Sequence, residues 1–112
     1  MSEARLPAHL EVAALIRAAE AAGGFGTVLN KGERDAGVIL ILTMERGASA
    51  RLWERMPRLD GQRIFEVVRE QASDNEKEFL DYLAHRTARD RDTWLIELDV
   101  ANAERLIAEF AR

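Results

Sequence analysis

The chain has 112 residues, of which 47% are hydrophobic and 32% are charged, and its formal net charge is -4. This length fits a single domain, and the composition is typical of a globular protein rather than a disordered one. The acidic balance provides no bulk attraction to nucleic acid or to an anionic membrane, and the absence of cysteine excludes disulfides, thiolate nucleophiles and cysteine-based zinc sites. Residues 1–5 are polar and contain no targeting signal, so a cytoplasmic location is expected.

The first element predicted is a helix over 7–22. Pro7 suits a first helical position, because its missing N–H would have no partner there. The alanine-rich segment that follows has one apolar side, formed by Leu10, Val12, Leu15, Ile16 and Ala19. Gly23 and Gly24 predict the end of this helix, since glycine adopts left-handed backbone angles without steric cost. A phosphate loop is not predicted here, because such loops run from a strand into a helix and this order is the reverse.

Two strands are predicted next, over 25–30 and 36–44, and the turn-rich segment between them indicates an antiparallel hairpin. The second strand contains the unbroken apolar run Val38–Leu42. Because successive strand residues point to opposite faces, such a run indicates a strand covered on both sides. The run is too short to span a membrane, and no membrane association is expected.

The following segment, 48–56, alternates apolar and polar residues, which predicts a half-exposed strand. Segment 62–70 has an apolar spacing that fits a strand and a helix about equally well. Its β-branched and aromatic residues favour a strand, which would extend the sheet as a meander.

A second helix is predicted over 74–89. Ser73 followed three residues later by Glu76 is a capping-box pattern, in which each side chain satisfies a free N–H of the first helical turn. A last strand is predicted over 93–98 from its alternating pattern.

Asp99 is expected to cap a C-terminal helix over 100–111. Together, the elements predict an α+β fold, with a mainly antiparallel sheet of about five strands and about three helices packed on it in two layers. The whole chain, 1–112, is expected to form one domain without internal repeats or linkers.

Scattered pairs and triplets of residues are similar to those of a known family. They are Arg5-Leu6, His9-Leu10, Val12-Ala13-Ala14, Gly32, Asp35-Ala36-Gly37, Arg51-Leu52-Trp53, Asp92, Trp94 and Glu97. In this order they resemble a family of short bacterial proteins known as domain of unknown function 1491. The resemblance implies no activity, cofactor or catalytic residue, because the family has none assigned. The segment from Val100 onward differs from the shorter, glycine-containing ending associated with the family.

The predicted strands over 48–56 and 62–70 carry a candidate interaction surface, called here the arginine–aromatic surface. Its members are residues of like parity on the two strands: Arg51, Trp53, Arg55, Arg63, Phe65 and Arg69. If the strands pair in register, arginines alternate with aromatic rings, an arrangement with which sheets bind single-stranded RNA. In the alternative arrangement, the rings pack under a helix and the arginines pair with carboxylates such as Glu54. A third interpretation is a protein-binding surface, since tryptophan and arginine are frequent interface anchors.

His9 and Asp35 are weaker candidates for a polar site. The two histidines of the chain, His9 and His85, fall in different predicted helices, and neither has a second histidine at the spacing that a helical metal site uses. We expect His9 to be a capping or surface residue and Asp35 to be a turn residue. No metal ligand, cofactor-binding residue or catalytic residue is predicted.

These patterns predict function only in outline. An open sheet has two edges to protect, and about three helices leave an edge or a face exposed. We therefore expect a non-enzymatic cytoplasmic domain that acts through protein contacts, as a homodimer through a sheet edge or the Trp53 face, with a further, unidentified protein partner. RNA binding on the arginine–aromatic surface is the alternative, and an enzyme of unknown class is a second alternative.

Overall fold

The computed structural model describes residues 6–57, 59–61, 63–72 and 74–110. The elements follow the chain as α1 (Ala8–Ala21), β1 (Phe25–Asn30), β2 (Ile39–Glu45), β3 (Ala48–Pro57), β4 (Arg63–Glu70), α2 (Glu76–Arg89), β5 (Trp94–Asp99) and α3 (Ala103–Phe110). The predicted α+β fold class is confirmed, and the described part of the ambiguous segment over 62–70 forms the strand β4. Among the helices in this part of the chain, none has the length and apolar character needed to cross a membrane.

The strands form one five-stranded sheet in the order β1-β5-β2-β3-β4. Although β5 comes last in the sequence, it lies between β1 and β2, antiparallel to β1 and parallel to β2. The predicted hairpin of β1 with β2 is therefore wrong. The physical reason is that β5 is apolar on both faces, with Trp94, Leu95, Ile96 and Leu98 all buried, so it takes a central position that is covered on both sides.

Helices cover both faces of the sheet. On one face, α1 and α3 pack on Ile39, Ile41, Trp53, Phe65, Trp94, Ile96 and Leu98. On the opposite face, α2 packs on Leu40, Leu42, Ala50, Leu52 and Leu95. The two sets alternate along each strand, as the pleat requires. The fold therefore has three layers rather than the expected two. The apolar side chains of β2 point to both faces of the sheet, and one layer of helices would leave half of them in water.

The end of α1 follows the sequence prediction. Gly23 has a φ of 94°, in the left-handed region, and the N–H of Gly24 donates to the carbonyl of Ala19. This closes the last turn of the helix as a glycine C-cap does. The chain can therefore reverse directly into β1.

The expected cap of α3 by Asp99 is wrong. The Asp99 carboxylate instead accepts the N–H groups of Arg46 and Gly47, at 2.8 and 2.9 Å, and so fixes the turn between β2 and β3. The last helix begins later, at Ala103, and it buries Ile107 in the core on the α1 face.

The capping box predicted for α2 is only partly covered by the structure. Ser73 lies outside the described residues, and the helix begins at Glu76. The preceding residue, Asn75, bonds to the chain just before it, since its side-chain oxygen accepts the N–H of Ala72 and its amide donates to the carbonyl of Glu70. These bonds tie the start of α2 to the end of β4.

Candidate functional site

The rings of the arginine–aromatic surface are buried. Trp53 and Phe65 are each 7% exposed and belong to the core beneath α1 and α3. The indole N–H of Trp53 donates to Oγ1 of Thr43 at 2.8 Å, which satisfies the one polar group that the ring brings into the core. Neither ring is accessible to stack on a base, so the exposed platform does not form and the packed alternative describes this face.

Two arginines of the arginine–aromatic surface pair with carboxylates. Nε of Arg51 lies 2.9 Å from Oε2 of Glu70 on the neighbouring strand, and Nη1 of Arg51 lies 3.6 Å from Oε2 of Glu104 on α3. The Arg55 guanidinium binds the Glu11 carboxylate on α1. These pairs fasten α1 and α3 to the sheet. The Arg63 side chain lies outside the described part of the structure, although its backbone pairs with Pro57.

A β-bulge places Arg69 on the opposite face from Phe65. Leu52 pairs with Arg69 and the next residue, Trp53, pairs with Val67, so β4 contains one extra residue at this point. The guanidinium of Arg69 accordingly lies over the ring of Tyr82 on α2, 4.1 Å from its centroid. The prediction that Arg69 shares a face with Phe65 is wrong, because side chains alternate regularly only where the ladder is regular.

His9 and Asp35 come together where α1 begins. The Nδ1 atom of His9 lies 3.1 Å from the carbonyl oxygen of Arg34 and 3.9 Å from Oδ1 of Asp35. The backbone N–H groups of Ala8 and His9 donate to the carbonyls of Asp35 and Arg34. The loop before β2 thus satisfies free N–H groups in the first turn of α1. In the described ranges, no group of three or more histidine, aspartate and glutamate side chains is placed to hold a metal ion.

The loop before β2 also packs closely against the start of β5. The indole N–H of Trp94 donates to the carbonyl of Glu33 at 2.7 Å. A Cβ atom at Gly32 or Gly37 would lie 2.7 or 2.8 Å from Cδ1 of Trp94, so only glycine allows the loop to approach this closely. Gly32, Gly37 and Trp94, which carried part of the family resemblance, therefore meet in one place. Their contacts hold the loop against β5.

A cleft of about 240 Å³ opens beside Arg51, between the β2–β3 turn and the start of α3. Its walls include Ser49 and Asn102, whose φ angles of 58° and 57° are positive, and the carboxylate-bearing Glu104. Small-molecule sites usually enclose about 300–1,000 Å³ and are mostly apolar. The size and the charged walls of this cleft do not favour a small-molecule site.

The outer strand β1 forms an edge of the sheet that carries exposed apolar side chains. Phe25, Val28 and Leu29 are 51%, 41% and 47% exposed, and the strand sequence FGTVLN contains no charged residue. In the part of the chain that the structure describes, β1 pairs with β5 on one side and with no strand on the other. Natural sheets usually protect such an edge with charges, proline or covering elements. This strand, called here the β1 edge, is the candidate functional site.

The β1 edge is not among the residues predicted from the sequence, because segment 25–30 is expected only as one arm of a hairpin. A signal was present in the sequence. In a chain that is 32% charged, the segment from Phe25 to Asn30 carries no charge at all. A strand without charges that is not central in its sheet is a candidate for pairing with another chain.

A family model matches most of the chain. The model described as "Protein of unknown function (DUF1491)" covers residues 6–108. The chain belongs to the DUF1491 family. This confirms the resemblance seen in the sequence, and the match extends past Val100 into α3.

Three solved structures, two of them of DUF1491 family proteins, are similar to this chain. A crystal structure of a family protein from Caulobacter crescentus CB15 is 40% identical, with a TM-score of 0.70 over 83% of this chain and 86% of that one. An NMR structure of a family protein from the same bacterium is 34% identical, with a TM-score of 0.74 over 94% of each chain. The solution structure of protein Atu0922 from A. tumefaciens is 28% identical, with a TM-score of 0.74 over 93% of each chain. No curated protein matches the chain.

Proposed function

We propose that this DUF1491 chain is a non-enzymatic, cytoplasmic protein-interaction domain whose partner adds a strand at the β1 edge. The observation that carries the proposal is the uncharged edge strand with exposed Phe25, Val28 and Leu29. The main-chain groups on the outer side of such a strand can pair with an extended segment of another chain, and the apolar side chains on either side add affinity.

The opposite edge of the sheet supports this choice of site. The strand at that edge, β4, contains the charged residues Arg63, Glu66, Arg69 and Glu70. Charges on an edge strand discourage another strand from pairing with it. The two edges therefore differ in what they permit, and β1 is the edge that suits a partner.

The packing of β1 also supports a preformed binding site. On the face covered by α1, a Cβ atom at Gly26 would lie 2.9 Å from Ile16 Cγ1 and 2.9 Å from Leu98 Cδ2, so helix and strand are in close contact there. On its inner side, β1 is paired along β5. A partner strand would thus meet a backbone that is already held in an extended conformation, which lowers the entropic cost of binding.

RNA binding has less support than protein binding. It required exposed rings and unpaired arginines on the arginine–aromatic surface, whereas Trp53 and Phe65 are buried and Arg51 and Arg55 contact carboxylates. Neutralised arginines release few counterions from a phosphate backbone, and this release is the main source of nonspecific affinity for nucleic acid.

The proposal can be tested by photocrosslinking in bacterial cells that produce the protein. Phe25 is replaced by the photoreactive residue p-benzoylphenylalanine, and the matched control carries the same replacement at Val67 on β4, which is 38% exposed. We expect protein adducts from the variant at position 25 and few from the variant at position 67. Equal adducts at both positions, or none at position 25, would contradict the proposal. Adducts that disappear on nuclease treatment would support RNA binding instead.

A further inference from the structure

We infer that the partner at the β1 edge is a second copy of this chain, paired antiparallel about a two-fold axis at Thr27. The inference rests on the proposed function, because it names the occupant of the edge proposed there. Charge favours the β1 edge for a contact between two copies. Two copies with a formal net charge of -4 each repel one another in general, so a contact between them requires a surface free of charge. The strand β1 has no charge, whereas β4 carries two arginines and two glutamates, and charges on an edge strand oppose its pairing with another strand.

The fold restricts the register in which two copies of β1 can pair. A two-fold axis perpendicular to the sheet makes each face continuous across the dimer, so only side chains of the same face can lie opposite one another. Gly26 and Val28 pair with apolar core residues of β5 and lie on the face that α1 covers. Phe25 and Thr27 lie on the other face. An axis at Thr27 satisfies this condition, because it pairs Thr27 with its own copy and Gly26 with Val28.

The register with its axis at Thr27 buries exposed apolar side chains. Leu29 is the extra residue of a bulge, since Val28 pairs with Ile96 and Asn30 pairs with Leu95. Two residues of a bulged strand oppose one on its neighbour, so Leu29 is directed to the same face as Asn30 and Phe25. The axis at Thr27 therefore places Phe25 against Leu29 of the second copy, and the symmetry repeats this contact. Two of the three exposed apolar side chains of the edge, Phe25 and Leu29, are then buried against one another, and Val28 lies opposite Gly26.

The first measurement is the mass in solution. At tens of micromolar protein, light scattering should give a dimer for the wild type. Val28→Lys should raise the dimer dissociation constant at least tenfold, because the two-fold axis introduces the buried charge twice. The matched control is Val67→Lys, which adds the same charge to an exposed position on β4 and should leave the dimer unchanged. Far-ultraviolet circular dichroism checks that both variants are folded.

The second measurement tests the register by covalent capture. The chain contains no cysteine, so a single introduced thiol can form a disulfide only between two copies. Residues directly opposite in an antiparallel pair have Cβ atoms about 4.5–5.5 Å apart, close to what a disulfide needs. Thr27→Cys should therefore give a covalent dimer under mild oxidation, and Val67→Cys should remain a monomer.

The outcomes separate this inference from the proposed function. A strictly monomeric wild type together with partner adducts at position 25 in cells would overturn the second copy as occupant and leave the β1 edge as a binding site. A dimer that Val67→Lys dissociates, and that Val28→Lys does not, would overturn both. A dimer that resists Val28→Lys, with no disulfide from Thr27→Cys, would place the contact elsewhere and overturn the inference.

Discussion

The two edges of the sheet are built differently although each carries a phenylalanine. Phe65 on β4 is 7% exposed, whereas Phe25 on β1 is 51% exposed. The strand β4 carries charged residues along its length and β1 carries none. The same aromatic residue is thus part of the core at one edge and part of the surface at the other. The difference shows that the covering elements decide whether an aromatic ring is buried, and that the charges of the strand add to the protection of the β4 edge.

Three arginines connect the covering helices to the β3 and β4 side of the sheet. Arg55 binds Glu11 on α1, Arg51 lies near Glu104 on α3, and Arg69 lies over a ring of α2. Each of these side chains connects the sheet to a helix. The outer strand β1 has no arginine or lysine and no such connection within it, although α1 packs closely at Gly26. Arg51, Arg55 and Arg69, which suggested an RNA surface, thus connect the helices to the sheet.

The largest expected difference between the edges is in the cost of removing each phenylalanine ring. Phe65→Ala should lower the free energy of unfolding by about 3 kcal/mol or more, because it leaves a cavity in a packed core. Phe25→Ala should lower it by less than about 1 kcal/mol, because the ring is largely in water before the change. Urea unfolding at low protein concentration measures both values. Equal costs would show that the two edges are buried alike.

An intermediate effect is expected for the pair that fastens α1 to β3. The side chains of Arg55 and Glu11 are only 20% and 14% exposed. Glu11→Gln leaves the arginine charge without its carboxylate in a partly buried position, so it should cost about 1–3 kcal/mol of unfolding free energy.

A matched control for this pair lies on α2. The side chains of Lys77 and Asp81 are 89% and 57% exposed, and Asp81→Asn should cost at most about 0.5 kcal/mol, as solvent screens such pairs. If both substitutions have the same small cost, the arginine on β3 does not fasten the helix.

The sequence was most informative where structure is local. The apolar run Val38–Leu42 predicted a strand covered on both sides, and Ile39 to Leu42 are buried in β2, although Val38 is 38% exposed and precedes the strand. The glycine C-cap of α1 was also predictable, because it depends on a few consecutive residues. Patterns of this kind report on neighbours along the chain, and they do so whatever the tertiary arrangement.

Strand pairing and the candidate site depend on distant residues, and there the sequence was insufficient. The position of β5 between β1 and β2 follows from the burial of β5 on both faces. This burial outweighs the tendency of the local turn at 31–35 to pair β1 with β2. The bulge that redirects Arg69 leaves no signature in an alternating pattern. The burial of Trp53 was one of the interpretations left open, and only the place of α1 and α3 on the sheet decides it.

Apart from the Asp81→Asn control, the smallest expected effect concerns Arg69 and Tyr82, whose contact holds α2 against the β4 edge. The guanidinium lies 4.1 Å from the ring centroid, and the arginine is exposed, so the coupling should be about 0.5–1 kcal/mol. A double-mutant cycle with Arg69→Ala and Tyr82→Ala measures this coupling without the separate cost of each truncation. Arg69→Lys should retain part of it, because an ammonium also interacts with a ring but lacks the planar stacking surface. A coupling of zero would mean that α2 stays on the sheet through Phe79, Leu83 and the ion pair of Arg86 with Glu54 on β3. The closed character of the β4 edge would then rest on its charges and on the arginines of β3.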